Sequence, residues 1–433
     1  MSAAPLPPSI WAAVTPPHET SAPLVGDDTA DVAVIGGGFT GLSTALHLAR
    51  RGVSVTLLEA NEAGWGASGR NNGQVIPTLT AAEPDAIIAK HGETGERFVK
   101  LIGESAAYLF DTARAEAIDA EAEQNGWFQP AHSPGRVKLS QKRVEAWQRH
   151  GFPAELYDRE QTRALLGSDY WYGGMFNPTG GHINPLALAR GLATAAQRHG
   201  ATIYEGTPAL SYRRERGGWV VETAKGTLKA RALVLATNAY TGLIAQKLAP
   251  RLARTFVPIL SWQMSTEPIG DNLRGTILPG RQAVSDTRGD LFFFRYDARN
   301  RLITGGAVLG PWNKAERVKA KQAKRIAEAF PDLGEPRITH AWSGHLSVTW
   351  NRFPRVHQLG QDAWTWVGCN GRGVALSVSL GRELAAVVSG VPADELALPV
   401  SGIAPLPAHA VGRRVAPYYL GWLKRKDRRE PAL

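Results

Sequence analysis

The pattern of apolar and polar positions near the start of the chain alternates between two periods. Residues 31–35 and 53–58 are short apolar runs of the kind that form buried strands. Between them, residues 39–51 carry apolar side chains at helical spacing. This order predicts a strand, a helix and a second strand in one parallel unit.

Later segments continue the same unit. Residues 184–200 have a helical pattern and residues 201–204 are strand-like. Residues 208–229 predict a hairpin that turns at Gly217 and Gly218, and the apolar run 232–236 is expected to return to the first sheet. The first domain is therefore predicted to be built from separated segments.

Strand-like alternation dominates residues 256–308, which favours a broad antiparallel sheet in a second domain. The predicted fold class is α/β, with a nucleotide-binding domain and a second α+β substrate domain. The expected divisions are residues 29–80, 180–250 and 350–395 for the first domain, 81–179 and 251–349 for the second, 1–28 for an extended arm and 396–433 for a basic tail. We expect Trp11 of the arm to dock in an apolar place.

Three glycines stand between the first strand and the first helix. Gly36 permits a tight turn, Gly38 leaves room for a pyrophosphate against the backbone, and Gly41 lets the helix pack closely on the strand. The helix N-terminus then offers N–H groups to phosphates. Glu59 ends the second strand, where a carboxylate can accept hydrogen bonds from ribose hydroxyls. This arrangement predicts a dinucleotide site and leaves NAD and FAD equal.

Residues 64–74 (GWGASGRNNGQ) contain four glycines and many small polar groups, so they predict a loop rather than a regular element. Such a loop can be a simple turn. Because it follows the ribose-binding acid directly, we interpret it as a cradle for phosphates or for a flat polar ring.

Composition limits the remaining possibilities. The chain has 433 residues, of which 43% are hydrophobic and 20% charged, as in ordinary globular proteins. Cys369 is the only cysteine, which excludes an intrachain disulfide and a cysteine-cluster metal site, and no metal is expected. No signal peptide or transmembrane run is recognised, so the expected location is cytoplasmic.

The formal net charge is +10, and much of the excess lies in the last residues of the chain. We interpret this segment as a solvated tail, and we expect no nucleic-acid partner. The basic residues of the tail are Arg413, Arg414, Lys424, Arg425, Lys426, Arg428 and Arg429.

Four motifs in order resemble one known family. They are the unit at residues 31–74, GGHINPLALARGL at 180–192, LVLATNAYTG at 233–242 and VGCNGRGVALSVSLGRELA at 367–385. Together they resemble the D-amino-acid-oxidase-type FAD-dependent oxidoreductases, and within them the gamma-glutamylputrescine oxidoreductases most. The resemblance covers roughly residues 31–390. It implies non-covalent FAD in a glutathione-reductase-like domain, with the substrate domain over the flavin ring.

The resemblance also implies which residues hold FAD. The expected contacts are to the pyrophosphate and ribose near the first glycines, to the adenine at residues 207–209, to the ring along residues 68–74, and to its pyrimidine end at residues 371–374. The cofactor residues predicted in this way are Gly36, Gly38, Phe39, Thr40, Gly41, Glu59, Ala60, Ser68, Gly69, Arg70, Asn71, Gln74, Pro208, Ala209, Ala236, Thr237, Gly371, Arg372, Gly373 and Val374.

The last motif departs from the family pattern. Relatives often have Ser-Gly-His-Gly where this chain has Asn370-Gly371-Arg372-Gly373. An arginine near the flavin favours a reduced, anionic ring or an anionic substrate group. Cys369 is expected to be a packed thiol rather than a covalent flavin link.

The reaction implied is oxidation of an amine or amino acid by hydride transfer from the α carbon to flavin N5, giving an imine that hydrolyses. Oxygen or another acceptor then reoxidises the flavin. Arg295 interrupts an apolar strand and needs an anion if it points inward, which a substrate carboxylate provides. The substrate-pocket candidates are His182, Trp262, Arg295, Tyr296, His345 and Trp350.

Two other classes of function stay open on the residues alone. A flavin monooxygenase or an NAD-linked dehydrogenase shares the first glycine unit, although a second GxGxxG for NADPH is missing from the sequence. A non-catalytic flavin- or nucleotide-binding module is the other alternative, with the basic tail recruiting nucleic acid.

Overall fold

The computed structural model describes residues 4–80, 82–244, 247–308 and 312–430. Four short 3-10 turns accompany the α-helices and strands of this part of the chain. The helices are α1 Ile10–Val14, α2 Phe39–Ala49, α3 Pro84–Ala115, α4 Pro134–Arg149, α5 Arg159–Leu166, α6 Pro185–Arg198, α7 Asp271–Arg274, α8 Lys314–Ala329, α9 Gly373–Val388 and α10 His409–Arg429. The strands are β1 Asp28–Ile35, β2 Val55–Leu58, β3 Gln74–Val75, β4 Trp127–Pro130, β5 Glu155–Tyr157, β6 Gly174–Asn177, β7 Gly181–His182, β8 Thr202–Tyr204, β9 Ser211–Glu215, β10 Gly218–Glu222, β11 Thr227–Leu235, β12 Val257–Pro268, β13 Ala283–Ser285, β14 Phe293–Tyr296, β15 Arg301–Gly306, β16 Ile338–Val348, β17 Arg355–Gly360 and β18 Ala363–Val367.

The first sheet has the order β17-β18-β11-β1-β2-β8, with the hairpin β9–β10 attached to β11. Strand β1 runs parallel to both β2 and β11, so that Val34 lies between Leu57 and Val234. The expected return of this run to the first sheet is therefore confirmed, and its place is next to β1. All residues of α2 are buried, and this helix packs against α6 and α9.

The second sheet has the order β16-β12-β15-β14-β13-β4-β6-β5 and is antiparallel except where β13 meets β4. Aromatic side chains fill its core, among them Trp171, Phe292, Phe294 and Phe330. The apolar run around β14 is buried because this strand lies in the middle of the sheet.

The sheets confirm the predicted fold class, an α/β domain assembled from discontinuous segments beside a second domain on a largely antiparallel sheet. The strands of the first sheet lie in the segments predicted for the nucleotide domain, except that β1 begins one residue earlier at Asp28, and the strands of the second sheet lie in the other segments. The residue boundaries of the two domains stay a prediction.

The N-terminal arm contains a short helix, although it was expected to be extended throughout. Ser9 caps α1 by accepting the N–H of Ala12 at 3.1 Å. Trp11 is fully buried against Trp342 and donates its indole N–H to the carbonyl of Asn71 at 2.8 Å. The expected docking of Trp11 is thus confirmed, and it ties the arm to the glycine-rich loop.

The C-terminal segment differs from the predicted solvated tail because residues 409–429 form α10, which packs against β12. Arg414 and Arg425 are exposed, as expected of solvated charges. The side chains of Arg413, Lys424, Lys426, Arg428 and Arg429 lie outside the described part of the structure. None of the helices that the structure describes is long and apolar enough to cross a membrane.

Candidate functional site

The turn between β1 and α2 brings the three glycines together. Gly36 has a φ of 111°, a backbone conformation that favours glycine, and a Cβ there would lie 3.0 Å from the carbonyl oxygen of Ala236. A Cβ on Gly41 would lie only 1.9 Å from the carbonyl oxygen of Gly36. The helix can therefore approach the strand only because residue 41 has no side chain.

The N-terminus of α2 faces the glycine-rich loop. Gly38 is the N-cap residue and has no side chain to satisfy the first amides. Instead, the Ser68 hydroxyl accepts the N–H of Phe39 at 2.9 Å. A Cβ on Gly38 would lie 2.9 Å from the same hydroxyl oxygen. The helix end and the loop thus form one polar surface.

Glu59 lies at the carboxyl end of β2, beside this turn. Its carboxylate accepts the N–H of Gly37 at 2.6 Å and the N–H of Asn61 at 2.9 Å. Burial raises the pKa of the Glu59 carboxyl, the two N–H donors oppose that rise, and the nearby Glu205 adds to it. The carboxylate is held in one orientation by the backbone.

A cavity of about 110 Å³ lies over the α2 N-terminus and Glu59. It is bounded by the end of β11 on one side and by the glycine-rich loop on the other. The predicted cofactor residues that line it are Gly36, Gly38, Phe39, Thr40, Glu59, Ala60, Ser68, Pro208, Ala209, Ala236 and Thr237. This space, hereafter the nucleotide cavity, therefore brings most of the predicted contacts together.

A second cavity of about 590 Å³ lies between the glycine-rich loop and the second sheet. The predicted cofactor residues that line it are Phe39, Ser68, Arg70, Asn71, Gln74, Gly371, Arg372, Gly373 and Val374. Phe39, Ser68, Asn238 and His345 line both spaces, so the two are neighbours. We call this larger space the ring cavity. Gly41 and Gly69 line neither cavity, because they pack against backbone behind the walls.

Arg70 is one of the residues that line the ring cavity. Its guanidinium lies 4.1 Å from the centre of the Trp65 ring, and Nε donates to the Trp65 carbonyl at 2.6 Å. Burial lowers the pKa of Arg70. Its Nη2 is buried and has no hydrogen-bond partner in the described residues.

Gln74 and Gln263, which also line the ring cavity, each have a buried side-chain amide oxygen. Gln74 donates its side-chain N–H to the carbonyl of Val284 at 2.8 Å, and Gln263 donates to the Ser261 hydroxyl at 3.1 Å. The Oε1 atoms of both glutamines are buried without a partner in the described part of the chain. Arg70, Gln74 and Gln263 line the ring cavity, and each carries a buried polar atom for which the described residues provide no partner.

Arg372 lines the ring cavity just before α9 begins. Its Nη1 donates to the hydroxyl of Thr78 and to the carbonyl of Leu79, and the guanidinium lies 4.9 Å from the centre of the Trp127 ring. Burial, with repulsion from Arg143, lowers the pKa of Arg372 to about 9. Hydrogen bonds from Nη1 therefore hold the Arg372 side chain in place at the wall of the ring cavity.

Of the substrate-pocket candidates, only His345 lines the ring cavity. Its ring meets the Tyr240 ring edge to face at 5.8 Å, and its backbone N–H donates to the Tyr240 hydroxyl at 3.2 Å. Tyr240 in turn meets Trp65 at 6.0 Å. His345 thus belongs to an aromatic group at the junction of the two cavities.

Arg295 and Tyr296 do not reach the cavity. The Arg295 guanidinium is buried and donates to three backbone carbonyls, those of Asn72, Ile183 and Tyr296, at 2.7–2.8 Å. These oxygens replace the substrate carboxylate that the sequence suggested, although burial still lowers the pKa of Arg295 to about 10. The Tyr296 hydroxyl donates to the Ile277 carbonyl at 3.2 Å, and burial raises its pKa to about 12.

The other candidates also lie away from the ring cavity. His182 is buried in the small sheet β3–β7, where Nε2 lies 3.0 Å from the Arg281 carbonyl, and burial lowers its pKa well below the ordinary value. Trp262 is absent from the lining although its neighbours Ser261 and Gln263 are present. Strand pleating explains this, since alternate side chains face opposite sides. Trp350 is 85% exposed.

The sequence pattern missed the outer wall of the ring cavity, which comes from residues 285–291 and from α10. Asp427 of α10 accepts the N–H groups of Gly289 and Asp290 at 2.9 and 3.0 Å. Asp286 pairs with Arg288. No local motif marked the contacts of Asp427, because they join residues more than 100 positions apart.

Residues after the returning strand were also missed, namely Asn238, Tyr240 and Thr241, which line the nucleotide cavity with Trp65, Gly66, Ala67 and Ser377. For the first three a signal existed, since the carboxyl ends of parallel strands carry binding loops in sheets of this kind.

Comparison with known proteins gives a consistent result. A family profile for FAD dependent oxidoreductases (DAO) matches residues 31–387. A probable oxidoreductase OrdL of Rhizobium meliloti (strain 1021) is 34% identical over 385 residues, covering 88% of each chain. The gamma-glutamylputrescine oxidoreductase of Escherichia coli (strain K12) is 32% identical over 364 residues, covering 84% of each chain.

Solved structures share the fold at lower identity. The glycine oxidase of Geobacillus kaustophilus superposes with a TM-score of 0.71 at 22% identity, covering 84% of this chain and 95% of the other. The L-proline dehydrogenase of P. horikoshii superposes with a TM-score of 0.72 at 21% identity, covering 84% and 94%. At these identities the likeness concerns the fold.

Proposed function

The chain belongs to the DAO family of FAD-dependent oxidoreductases, and we propose that it oxidises an amine or an amino acid at the carbon next to nitrogen. The family makes it a flavin-dependent enzyme, as the sequence motifs predicted. Proteins similar to it are named for gamma-glutamylputrescine and for glycine, which supports a substrate with an oxidisable C–N bond.

The residues fit FAD. Backbone amides at the N-terminus of α2 suit the diphosphate, and the oriented carboxylate of Glu59 suits ribose hydroxyls. In the ring cavity, the side chains of Arg70, Gln74 and Gln263 give the wall both donors and acceptors, which suits a flat ring that carries both carbonyl and N–H groups. This polar cavity beside a dinucleotide site is the observation that carries the proposal.

When bound, FAD supplies the acceptor for a hydride from the α carbon and passes the electrons to oxygen or another acceptor, while the imine product hydrolyses. The protein contributes position and environment. Ile259, Leu260 and Leu346 give the cavity wall apolar surface that excludes water. His345, at the junction of the cavities, is placed to orient the substrate amine.

The charged wall of the ring cavity bears on the substrate class. Asp286, Asp290 and Asp427 lie on the same side as Arg136 and Arg288. Their charges are largely matched within the protein, because Asp286 pairs with Arg288 and Asp290 pairs with Lys321 at 2.8 Å. Because this wall carries polar and charged side chains of both signs, it suits a polar substrate better than a simple alkyl amine.

The test is to purify the protein, record its visible spectrum and titrate amines and amino acids without oxygen. We expect flavin absorbance that bleaches with a substrate containing a C–N bond, and peroxide on admission of air if oxygen is the acceptor. A protein that shows no flavin absorbance even after reconstitution with FAD contradicts the cofactor assignment. Bleaching by no amine or amino acid contradicts the proposed reaction while leaving the cofactor assignment intact.

His345 gives a sharper version of the test. We expect His345→Asn to retain FAD and to raise the KM for the substrate about tenfold, because a group that orients the amine is lost. His340→Asn is the matched control, since His340 lies five residues earlier on β16 and does not line the ring cavity. Equal kinetics for both variants would remove His345 from the proposed site.

A further inference from the structure

A line of apolar side chains runs along the outer face of α10. Val411, Val415, Tyr418 and Trp422 follow one another at intervals of four, three and four residues, which places them on one side of a helix. Their exposed fractions are 57%, 55%, 71% and 53%. We call these four residues the α10 stripe. Single exposed apolar residues are ordinary, but a continuous line on one helix is a recognition feature.

The helix is attached to the protein through other residues. The Asp427 carboxylate accepts the N–H groups of Gly289 and Asp290, and Glu430 pairs with Arg136 just after the helix ends. Both acidic residues of this segment are therefore turned toward the protein. The stripe stays on the outside even though the helix is packed against β12.

The segment that forms α10 is basic in sequence. The sequence from His409 to Glu430 contains seven Arg and Lys residues against two acids, in a chain of net charge +10. Arg414 and Arg425 are exposed. A basic helix with an exposed line of Val, Tyr and Trp has the composition of helices that lie in the surface of an anionic membrane. We propose that the α10 stripe docks this enzyme on an anionic lipid surface.

The shape of the stripe favours lipid over a second copy of the chain. Four residues of one helix span roughly 17 Å in a line one side chain wide. A stable protein interface buries on the order of 1,200 Å² or more, well beyond what such a line provides. Lipid headgroups need no matching surface, and Tyr and Trp prefer the boundary between water and acyl chains.

The position of Trp422 links the docking face to the site. Trp422 lines the ring cavity and is also the last member of the stripe. Docking through α10 therefore brings the membrane surface close to a residue of the ring-cavity wall.

The experiment is co-sedimentation of the FAD-loaded enzyme with vesicles. We expect binding to equimolar phosphatidylglycerol and phosphatidylcholine, weak binding to phosphatidylcholine alone, and weakening by added salt. The double variant Val415→Asp with Tyr418→Asp should lose at least about tenfold in vesicle partitioning, since two apolar contacts become charges. Val25→Asp is the control because Val25 is a valine, 73% exposed, that lies outside the stripe and far from α10 in the sequence. Flavin absorbance and melting temperature of each variant verify folding.

Four outcomes overturn the proposal. The first is failure of the native enzyme to bind the anionic vesicles, and the second is equal binding by the stripe variant. The third is a native dimer, measured by light scattering, that the stripe variant dissociates, which assigns the stripe to a second copy. The fourth is binding to polyglutamate but not to vesicles, which assigns the helix to an acidic polypeptide.

Discussion

The nucleotide cavity and the ring cavity lie side by side but are built differently. The floor of the nucleotide cavity comes from backbone amides and closely packed glycines within residues 36–69, together with Glu59. The wall of the ring cavity comes from side chains of β12, of residues 285–291, of the turn before α9 and of α10. Local backbone groups form the floor of the first, whereas distant side chains form much of the second.

This difference separates two kinds of binding. Backbone atoms at a helix end recognise a group shared by many cofactors, so their geometry depends on the chain's close approach rather than on side-chain identity. Side chains on pleated strands recognise a particular substrate, and their direction depends on register. Substitutions in the two regions should therefore affect different measurements.

The largest effect is expected from Gly41→Ala. The new methyl group would lie 1.9 Å from the carbonyl oxygen of Gly36, so α2 would have to move away from β1. We expect a loss of about 4 kcal/mol or more in the free energy of unfolding, with loss of bound FAD, measured by denaturation and flavin fluorescence. A variant with native FAD affinity and stability would contradict the view that close packing forms the nucleotide cavity.

Gly135→Ala is the matched control. Gly135 also lies near the start of a helix, and a Cβ there meets no atom within 4 Å. We expect its stability to rise by up to about 1 kcal/mol, because alanine favours the helix.

The next effect tests a residue that lies beside the ring cavity without entering it. Arg295→Met should lower the free energy of unfolding by about 3 kcal/mol, because three buried carbonyl oxygens lose their donor. Thermal melting and steady-state kinetics measure the two properties separately. Arg299→Met, four residues away and exposed, should change neither. A raised KM with an unchanged melting temperature would support the original prediction that Arg295 binds the substrate.

Glu59→Gln should weaken FAD binding without much effect on KM. The amide that replaces the carboxylate must turn an N–H group toward the N–H of Gly37 or Asn61, which costs about 2 kcal/mol, or roughly 30-fold in Kd. Flavin fluorescence on dilution measures this Kd. Glu62→Gln, whose carboxylate pairs with Arg190 at 3.0 Å outside the cavity, is the control and should be nearly neutral.

The same carboxylate gives a pH dependence. Its folded-state pKa is raised by burial, so the proton returns at a higher pH than in a free glutamate. If the ionised form is the one that holds the ribose, FAD affinity falls as the pH falls through that raised pKa. Affinity of Glu59→Gln should stay flat over this window. An equal fall in both proteins would place the titrating group elsewhere.

The sequence was sufficient for the nucleotide cavity because its signals are local. Gly36, Gly38 and Gly41 lie within six positions, and Glu59 follows at the end of the next strand. Glycines and an acid at this spacing are typical of the strand–turn–helix unit that binds dinucleotides. The return of residues 232–236 to the first sheet was also recoverable, since this run is apolar on both faces, as expected of a buried strand.

The residues that face the substrate could not be predicted from the sequence in the same way. Arg295 within an apolar run indicated a buried anion, but backbone carbonyls can also satisfy a guanidinium, and a sequence does not distinguish them. Trp262 and Gln263 differ by one position, which decides whether a side chain faces the cavity. The basic residues of α10 led to the prediction of a solvated tail, so its part in the wall of the ring cavity was missed. The net charge of a segment does not show which way a single side chain such as Asp427 points.

The smallest expected effect tests whether α10 shapes the ring cavity or only closes it. Asp427→Asn keeps the size of the side chain but replaces one acceptor oxygen by an N–H group, which faces the N–H of Gly289 or Asp290. We expect the loss of this hydrogen bond to cost about 1 kcal/mol in substrate binding. This loss would be measured as a several-fold rise in KM with FAD affinity unchanged. Asp332→Asn, on an exposed loop, is the control. A melting temperature that falls while KM stays constant would mean that α10 supports the wall without influencing the substrate, and the contrast between the two cavities would then rest on the second sheet alone.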